Sequence, residues 1–273
     1  MIKNITPSRA PIGIFDSGIG GLTVAKAVMN AMPEEHIIYF GDTARVPYGI
    51  KSVDTVRQYA LQITDFLLEK GVKMVLIACN TVAASAEKEI KEKCNDIPVI
   101  GVIEAGTRAV HALQKHQKVG VIGTLATIGS GAYDRALTQM MPGISVFSRA
   151  CPMLVPLAEE GWTDNSISEQ VLQIYLEGVR AQNLDALILG CTHYPLFKEP
   201  IRRIVDGYGL SIIDSAEAIA EMAKTTLSDT DMLNPGKRGL LECYVTDKPQ
   251  RFQELAERFL GKELNRVDIV SLK

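Results

Sequence analysis

The strongest constraint on this chain is an alternation. Short, nearly continuous β-branched apolar runs are separated by longer stretches of helical periodicity. The runs are PIGIF (11–15), HIIYF (36–40), KMVLIA (73–78), IPVIGV (97–102), KVGVIG (118–123), ISVFS (144–148), DALILG (185–190) and LSIID (210–214). Each is short and apolar on both faces, as a strand is when helices cover both sides of its sheet. Segments 21–32 and 54–70 read as helices. In the second, Val56, Tyr59, Ala60, Ile63, Phe66 and Leu67 recur at three- and four-residue spacing and make one apolar face. Strand–helix–strand order implies parallel βαβ units with right-handed crossovers. The expected class is therefore α/β.

A chain of 273 residues suits two such sheets better than one. An internal echo agrees: MVLIACNT (74–81) and LILGCTHY (187–194) share an apolar run, a small residue, a cysteine and a threonine. The two cysteines lie nearly half the chain apart, the spacing expected of two similar halves.

Composition removes several function classes. A formal charge of −3 with no basic cluster gives no support for a nucleic-acid partner. No run reaches the roughly 18 apolar residues of a membrane span, and MIKNITPSRA carries no apolar leader. The five cysteines (79, 94, 151, 191 and 243) are odd in number and form no CxxC. Free thiols in a reducing, cytoplasmic setting are expected, each by default a small buried hydrophobe.

Ligands of open parallel sheets bind beyond the C-terminal strand ends, so the loops there supply the candidates. Asp16-Ser17-Gly18-Ile19-Gly20-Gly21 is a Gly-rich turn feeding a helix, able to hold an anion through backbone N–H groups. It has neither dinucleotide nor P-loop spacing. Asp16 is open to two readings, a helix cap or an acceptor in the crevice. In the loop at 41–49, Pro47 and Gly49 fix the backbone, and Tyr48 can offer a hydroxyl or a ring to a ligand. Cys79 ends one strand and is followed by Asn80-Thr81, either of which suits an N-cap. Cys191 ends another and is followed by Thr192, His193 and Tyr194. A helix N-terminus beside Cys79 is expected to lower its pKa.

A disulfide between these two needs an approach that sequence does not give. A metal site lacks ligands, since Cys-x-His alone is too few. Nucleophilic catalysis uses one cysteine with a histidine base. Proton transfer at a carbon stereocentre suits two thiols, one on each face of the substrate, and racemisation of an amino acid by this route needs no cofactor lysine. Ser17, Asn80, Thr81 and Thr192 are placed to hold an amino acid's polar groups.

GIFDSGIGGLTV (13–24), GDTARVPYG (41–49), ACNTVAASA (78–86), GTLATIGSGAY (123–133), CPMLVPLAEEG (151–161) and LGCTHYPL (189–196) together resemble the cofactor-independent glutamate racemases, in order and at similar spacing. The resemblance implies two doubly wound parallel-sheet α/β domains facing each other across the active site. The first would comprise 1–100 and 212–273, the second 101–211. It implies interconversion of L- and D-glutamate for peptidoglycan synthesis, no cofactor, glutamate as the small-molecule partner, and a homodimer. Cys79 and Cys191 would be the two acid/bases. Asp16 would assist Cys79; His193 and one of Glu159 or Glu160 would assist Cys191. Substrate would be held by Asp16, Ser17, Tyr48, Gly49, Asn80, Thr81, Thr124, Thr192 and His193. Two other readings stay open: an aspartate racemase of the same superfamily, and an amino-acid-binding protein without catalysis. His36, His111, His116, Cys94, Cys151 and Cys243 are expected to be packed or solvated.

Overall fold

The computed structural model describes residues 7–114, 118–264 and 266–272; His116 lies outside them. Among the described residues ten strands form two sheets, and every strand pairing is parallel. The first sheet contains β1 (Ile12–Asp16), β2 (Ile37–Gly41), β3 (Met74–Ile77), β4 (Val99–Gly101), β9 (Leu241–Val245) and β10 (Val267–Ile269), in the order β10-β9-β2-β1-β3-β4. The second contains β5 (Lys118–Gly123), β6 (Ser145–Ala150), β7 (Ala186–Gly190) and β8 (Ser211–Asp214), in the order β6-β5-β7-β8. The eight apolar runs become β1 to β8. β1, β2, β3 and β7 are buried at every position, which is why they read as unbroken apolar runs rather than alternating ones.

The helices are α1 (Leu22–Ala31), α2 (Val53–Glu69), α3 (Asn80–Cys94), α4 (Val102–Ala112), α5 (Leu125–Gly129), α6 (Ala132–Met140), α7 (Leu154–Glu159), α8 (Ser166–Ala181), α9 (Lys198–Ile204), α10 (Ser215–Asp229) and α11 (Pro249–Leu260). The chain crosses between the sheets twice, through α4 and through α10. These two helices pack on each other and each touches β4 of the first sheet and β7 and β8 of the second, so they form the shared layer. α10 is started by Asp214, whose Oδ1 accepts from the Ala216 N–H at 2.9 Å, a side-chain N-cap.

Two expectations are corrected. The second sheet does not end at residue 211: Ala186, Leu187, Ile188 and Leu189 pair with Ser211, Ile212, Ile213 and Asp214. The return to the first sheet begins only after Asp214. The N-cap of α3 is neither Asn80 nor Thr81 but Cys79, which has extended backbone and makes no side-chain cap bond. Asn80 and Thr81 are already helical.

Both sheets reverse direction of growth at their centre. In the first, β2 lies on one side of β1 and β3 on the other; in the second, β6 and β7 flank β5 in the same way. A crevice opens beyond the strand ends at such a switch point. Cys79 follows β3 and Cys191 follows β7, so each sheet delivers one cysteine to its own switch point.

At the opposite end of the first sheet, Lys73 and Glu35 form a fully buried ion pair of 2.6 Å. Lys73 Nζ also donates to the carbonyls of Ser8 (2.7 Å) and Met232 (2.8 Å), and Glu35 Oε1 accepts from the Asn234 N–H. Removing one partner strands the other charge in the core. Lys73→Ala is expected to cost about 3–5 kcal/mol of stability, measured as a change in urea unfolding.

Candidate active site

The two crevices face one cavity of about 430 Å3. Asp16, Ser17, Tyr48, Gly49, Cys79, Asn80, Thr81, Thr124, Glu159, Cys191, Thr192 and His193 all line it. Glu159, at the end of α7, faces the cavity, whereas Glu160 caps the helix outside it. Gly18, Ile19, Val46, Pro47, Ile50, Leu125, Thr127, Pro152, Val155 and Pro156 complete the wall. Several of these belong to the motifs at 41–49 and 123–133, but apolar and ring residues carry no chemical signal of their own. Ile50 and Leu125 are 79% and 61% exposed, so the rim is apolar and the floor polar.

On the first wall, Asp16 is buried. Its Oδ2 accepts from the Gly18 N–H at 2.9 Å, while Oδ1 is buried without a partner among the described residues. Burial raises its pKa, and the nearby His193 charge offsets part of that rise. Cys79 Sγ donates to Ser17 Oγ at 3.6 Å. Its thiol is pushed up to about 12, first by burial and then by the Asp16 carboxylate. This reverses the expected direction: α3 does stabilise the thiolate through the Val82 N–H, but desolvation is the larger effect. Cys79 rests as a thiol.

On the second wall, Cys191 Sγ lies 3.9 Å from His193 Nδ1, and His193 Nε2 lies 3.4 Å from Glu159 Oε1. Burial alone would discharge the imidazole. The Cys191 and Glu159 contacts, with the Asp16 charge, outweigh it and push His193 up to about 10. Glu159 is held below the ordinary carboxylate value, chiefly by His193. His193 is therefore an imidazolium bracketed by a sulfur and a carboxylate.

The walls interlock. Thr23 Oγ1, in the first turn of α1, donates to the Thr192 carbonyl at 2.9 Å. Gly20 is needed for this approach: a Cβ there would stand 2.3 Å from Thr192 Oγ1 and 2.4 Å from His193 Cε1. Tyr48 lines the cavity, but its hydroxyl donates to the buried Asp42, which also accepts from Arg45 Nε (2.6 Å) and Thr246 Oγ1 (2.8 Å). The Tyr48 hydroxyl is therefore engaged by Asp42. Thr124 caps α5, accepting from the Thr127 N–H at 3.2 Å.

A profile of the Asp/Glu/Hydantoin racemase family matches residues 22–223. The chain belongs to this family. It is 49% identical to a glutamate racemase of Syntrophus aciditrophicus, over the whole length of both chains. The crystal structure of the Francisella tularensis glutamate racemase in complex with D-glutamate is 44% identical, with a TM-score of 0.90 over 97% of this chain and 98% of that one. An aspartate racemase of Picrophilus torridus shares the fold at a TM-score of 0.60, with 18% identity over 81% of this chain and 94% of that one. The matched residues take in β2 to β8 and the strand ends that carry Cys79 and Cys191. The remaining cysteines, Cys94, Cys151 and Cys243, are buried and free and lie outside the cavity lining. No helix among the described residues is long and apolar enough to cross a membrane.

Proposed function

We propose that the chain interconverts L- and D-glutamate by moving the Cα proton between Cys79 and Cys191, supplying D-glutamate for peptidoglycan synthesis. The observation that carries this reading is the pair of cysteines at the switch points of two different sheets, both lining one cavity. A two-base racemisation removes a proton from one face of a carbon and returns one to the other, so it needs acid/bases on two walls. Stereoinversion then follows from the architecture, because neither sulfur has to move around the substrate.

In one direction Cys191 takes the Cα proton and Cys79, a resting thiol, delivers its own proton to the opposite face. The Cα–H electron pair reforms a C–H bond on that face, and the two sulfurs exchange protonation states. Asp16 serves Cys79, while His193 with Glu159 serves Cys191. The negative charge that builds on the α-carboxylate meets N–H and O–H donors from Ser17, Asn80, Thr81 and Thr192, where donors fixed before the reaction are most effective. The buried Asp16 Oδ1 is an acceptor for the substrate ammonium. The relatives' names support glutamate over aspartate.

The test is a circular-dichroism assay on pure L- and pure D-glutamate without added cofactor, with L-aspartate beside it. Both glutamate enantiomers should relax to the racemate, and aspartate should turn over far more slowly. Retention of the signal from glutamate would overturn the reading. Gly20→Ala should leave the protein folded but lower kcat/KM by on the order of 10-fold or more, since misplacing reacting groups by about 1 Å costs up to 10²-fold. Steady-state kinetics and a thermal midpoint on the same sample check this.

A further inference from the structure

We infer that Tyr133 is a positioning residue that couples the two halves of the site by fixing the Asn80 side chain as a hydrogen-bond donor to the substrate; the inference rests on the racemase reading above.

Tyr133 lies in the first turn of α6 and is 1% exposed. It meets a chain neighbour of each active-site cysteine. Its ring lies over Gly190, the residue before Cys191, where an added Cβ would stand 3.1 Å from Tyr133 Cε2. Its hydroxyl donates to Oδ1 of Asn80, the residue after Cys79, at 2.8 Å. One rigid side chain thus spans from the end of β7 in the second sheet to the start of α3 on the first.

The direction of this hydrogen bond decides what Asn80 can do. A buried tyrosine O–H must donate to something. Among the described residues its acceptor is Asn80 Oδ1. Burial raises the phenol further, so it stays protonated and keeps that role. With Oδ1 occupied, the amide presents Nδ2 elsewhere. Nδ2 is buried and has no partner among the described residues, while Asn80 is 4% exposed and lines the cavity. An orphaned buried donor is costly in a resting protein and is explained if a carboxylate oxygen fills the gap when substrate binds. Amide rotation would put Oδ1 toward that carboxylate, and the Tyr133 hydroxyl prevents it.

A double-mutant cycle with both glutamate enantiomers tests this. Tyr133→Phe keeps the ring on Gly190 and removes only the hydroxyl. It should lower kcat/KM by on the order of 10-fold, mostly in kcat, because the Asn80 donor gains strength as charge builds on the carboxylate. In an Asn80→Ala background the same change should cost less than about 2-fold, since its effect runs through Asn80. Asn80→Asp keeps an acceptor for Tyr133 but replaces the donor with an oxygen, and should lose at least as much activity as Asn80→Ala. Wild-type kcat in Tyr133→Phe, an undiminished 10-fold effect in the Asn80→Ala background, or wild-type activity in Asn80→Asp would each overturn the inference. If Tyr133→Phe does not fold, the Asn80→Asp result decides alone. Failure of the wild-type chain to racemise glutamate would instead strike the proposed function, so the two failures are distinguishable.

Discussion

Cys79→Ser and Cys191→Ser should each cut glutamate racemisation by about 10²–10⁴-fold, the contribution typical of a positioned acid or base. The change from sulfur to oxygen is small in volume but large in acidity. Cys79 is already held up at about 12 by burial and the Asp16 carboxylate; a hydroxyl in the same place starts from a much weaker acid and meets the same desolvation. It can neither serve as base nor deliver a proton at the rate a thiol does. The two substitutions should not multiply, because the step needs both sulfurs, and groups that act as a unit are strongly non-additive. The double variant is expected to be little worse than either single one. L- and D-glutamate have equal free energy in water, so kcat/KM must fall equally from both sides. Any directional difference can appear only as kcat and KM moving together. In deuterated water, the wild-type product should carry deuterium at Cα, read by loss of the Cα–H proton resonance. Product free of solvent label, or full activity in either single variant, would sink the two-thiol mechanism.

Much of this architecture is legible in the sequence because buried parallel strands leave an unambiguous apolar signature. β9 and β10 escape it for physical reasons. Leu241-Glu242-Cys243-Tyr244-Val245 carries a glutamate whose side chain reaches His36 at 2.8 Å, and β10 is three residues at a sheet edge. Neither burial pattern is apolar on both faces. The crossover at Asp214 lies a few residues beyond its expected place because the strand before it and the cap of α10 are continuous in sequence. The candidate side chains are legible through motifs at strand ends, where chemistry and topology coincide. The state of Cys79 is not. The helix N-terminus is a local feature that sequence announces, whereas desolvation depends on everything that packs around the thiol in the folded chain. The same limit hides the choice between Glu159 and Glu160, which turns on the helical phase at the end of α7, and the role of Tyr133, whose partner Asn80 is distant in sequence.

His193→Gln is expected to produce the second largest loss, on the order of 10²-fold in kcat/KM, and to change the pH dependence in a way a packing defect cannot. The imidazole sits between Cys191 Sγ (3.9 Å) and Glu159 Oε1 (3.4 Å), with its ring edge-on to Phe259 at 5.6 Å. Burial works against its charge, but the sulfur, the carboxylate and Asp16 hold it to about 10 against an ordinary 6.5. A group whose folded pKa lies above its unfolded one binds more protons in the native state. Its contribution to stability is therefore complete below about pH 6.5 and is lost as pH rises through about 10. Raising a pKa by one corresponds to about 1.4 kcal/mol, so the loss across that window amounts to a few kcal/mol. Urea unfolding of the wild type between pH 6 and 10 should show this decline, and His193→Gln should flatten it. Glu159→Gln removes the counter-charge and should move the alkaline limb of kcat/KM to lower pH, because the imidazolium is then held by fewer partners. A wild-type alkaline limb left in place in Glu159→Gln, or a stability profile in His193→Gln parallel to the wild type, would show that the ion pair does not set the protonation of the second wall. The asymmetry between the walls is the chemical point. One sulfur is kept protonated by burial beside a carboxylate and the other lies beside an imidazolium, so under the proposed mechanism the two walls are already unlike before substrate arrives.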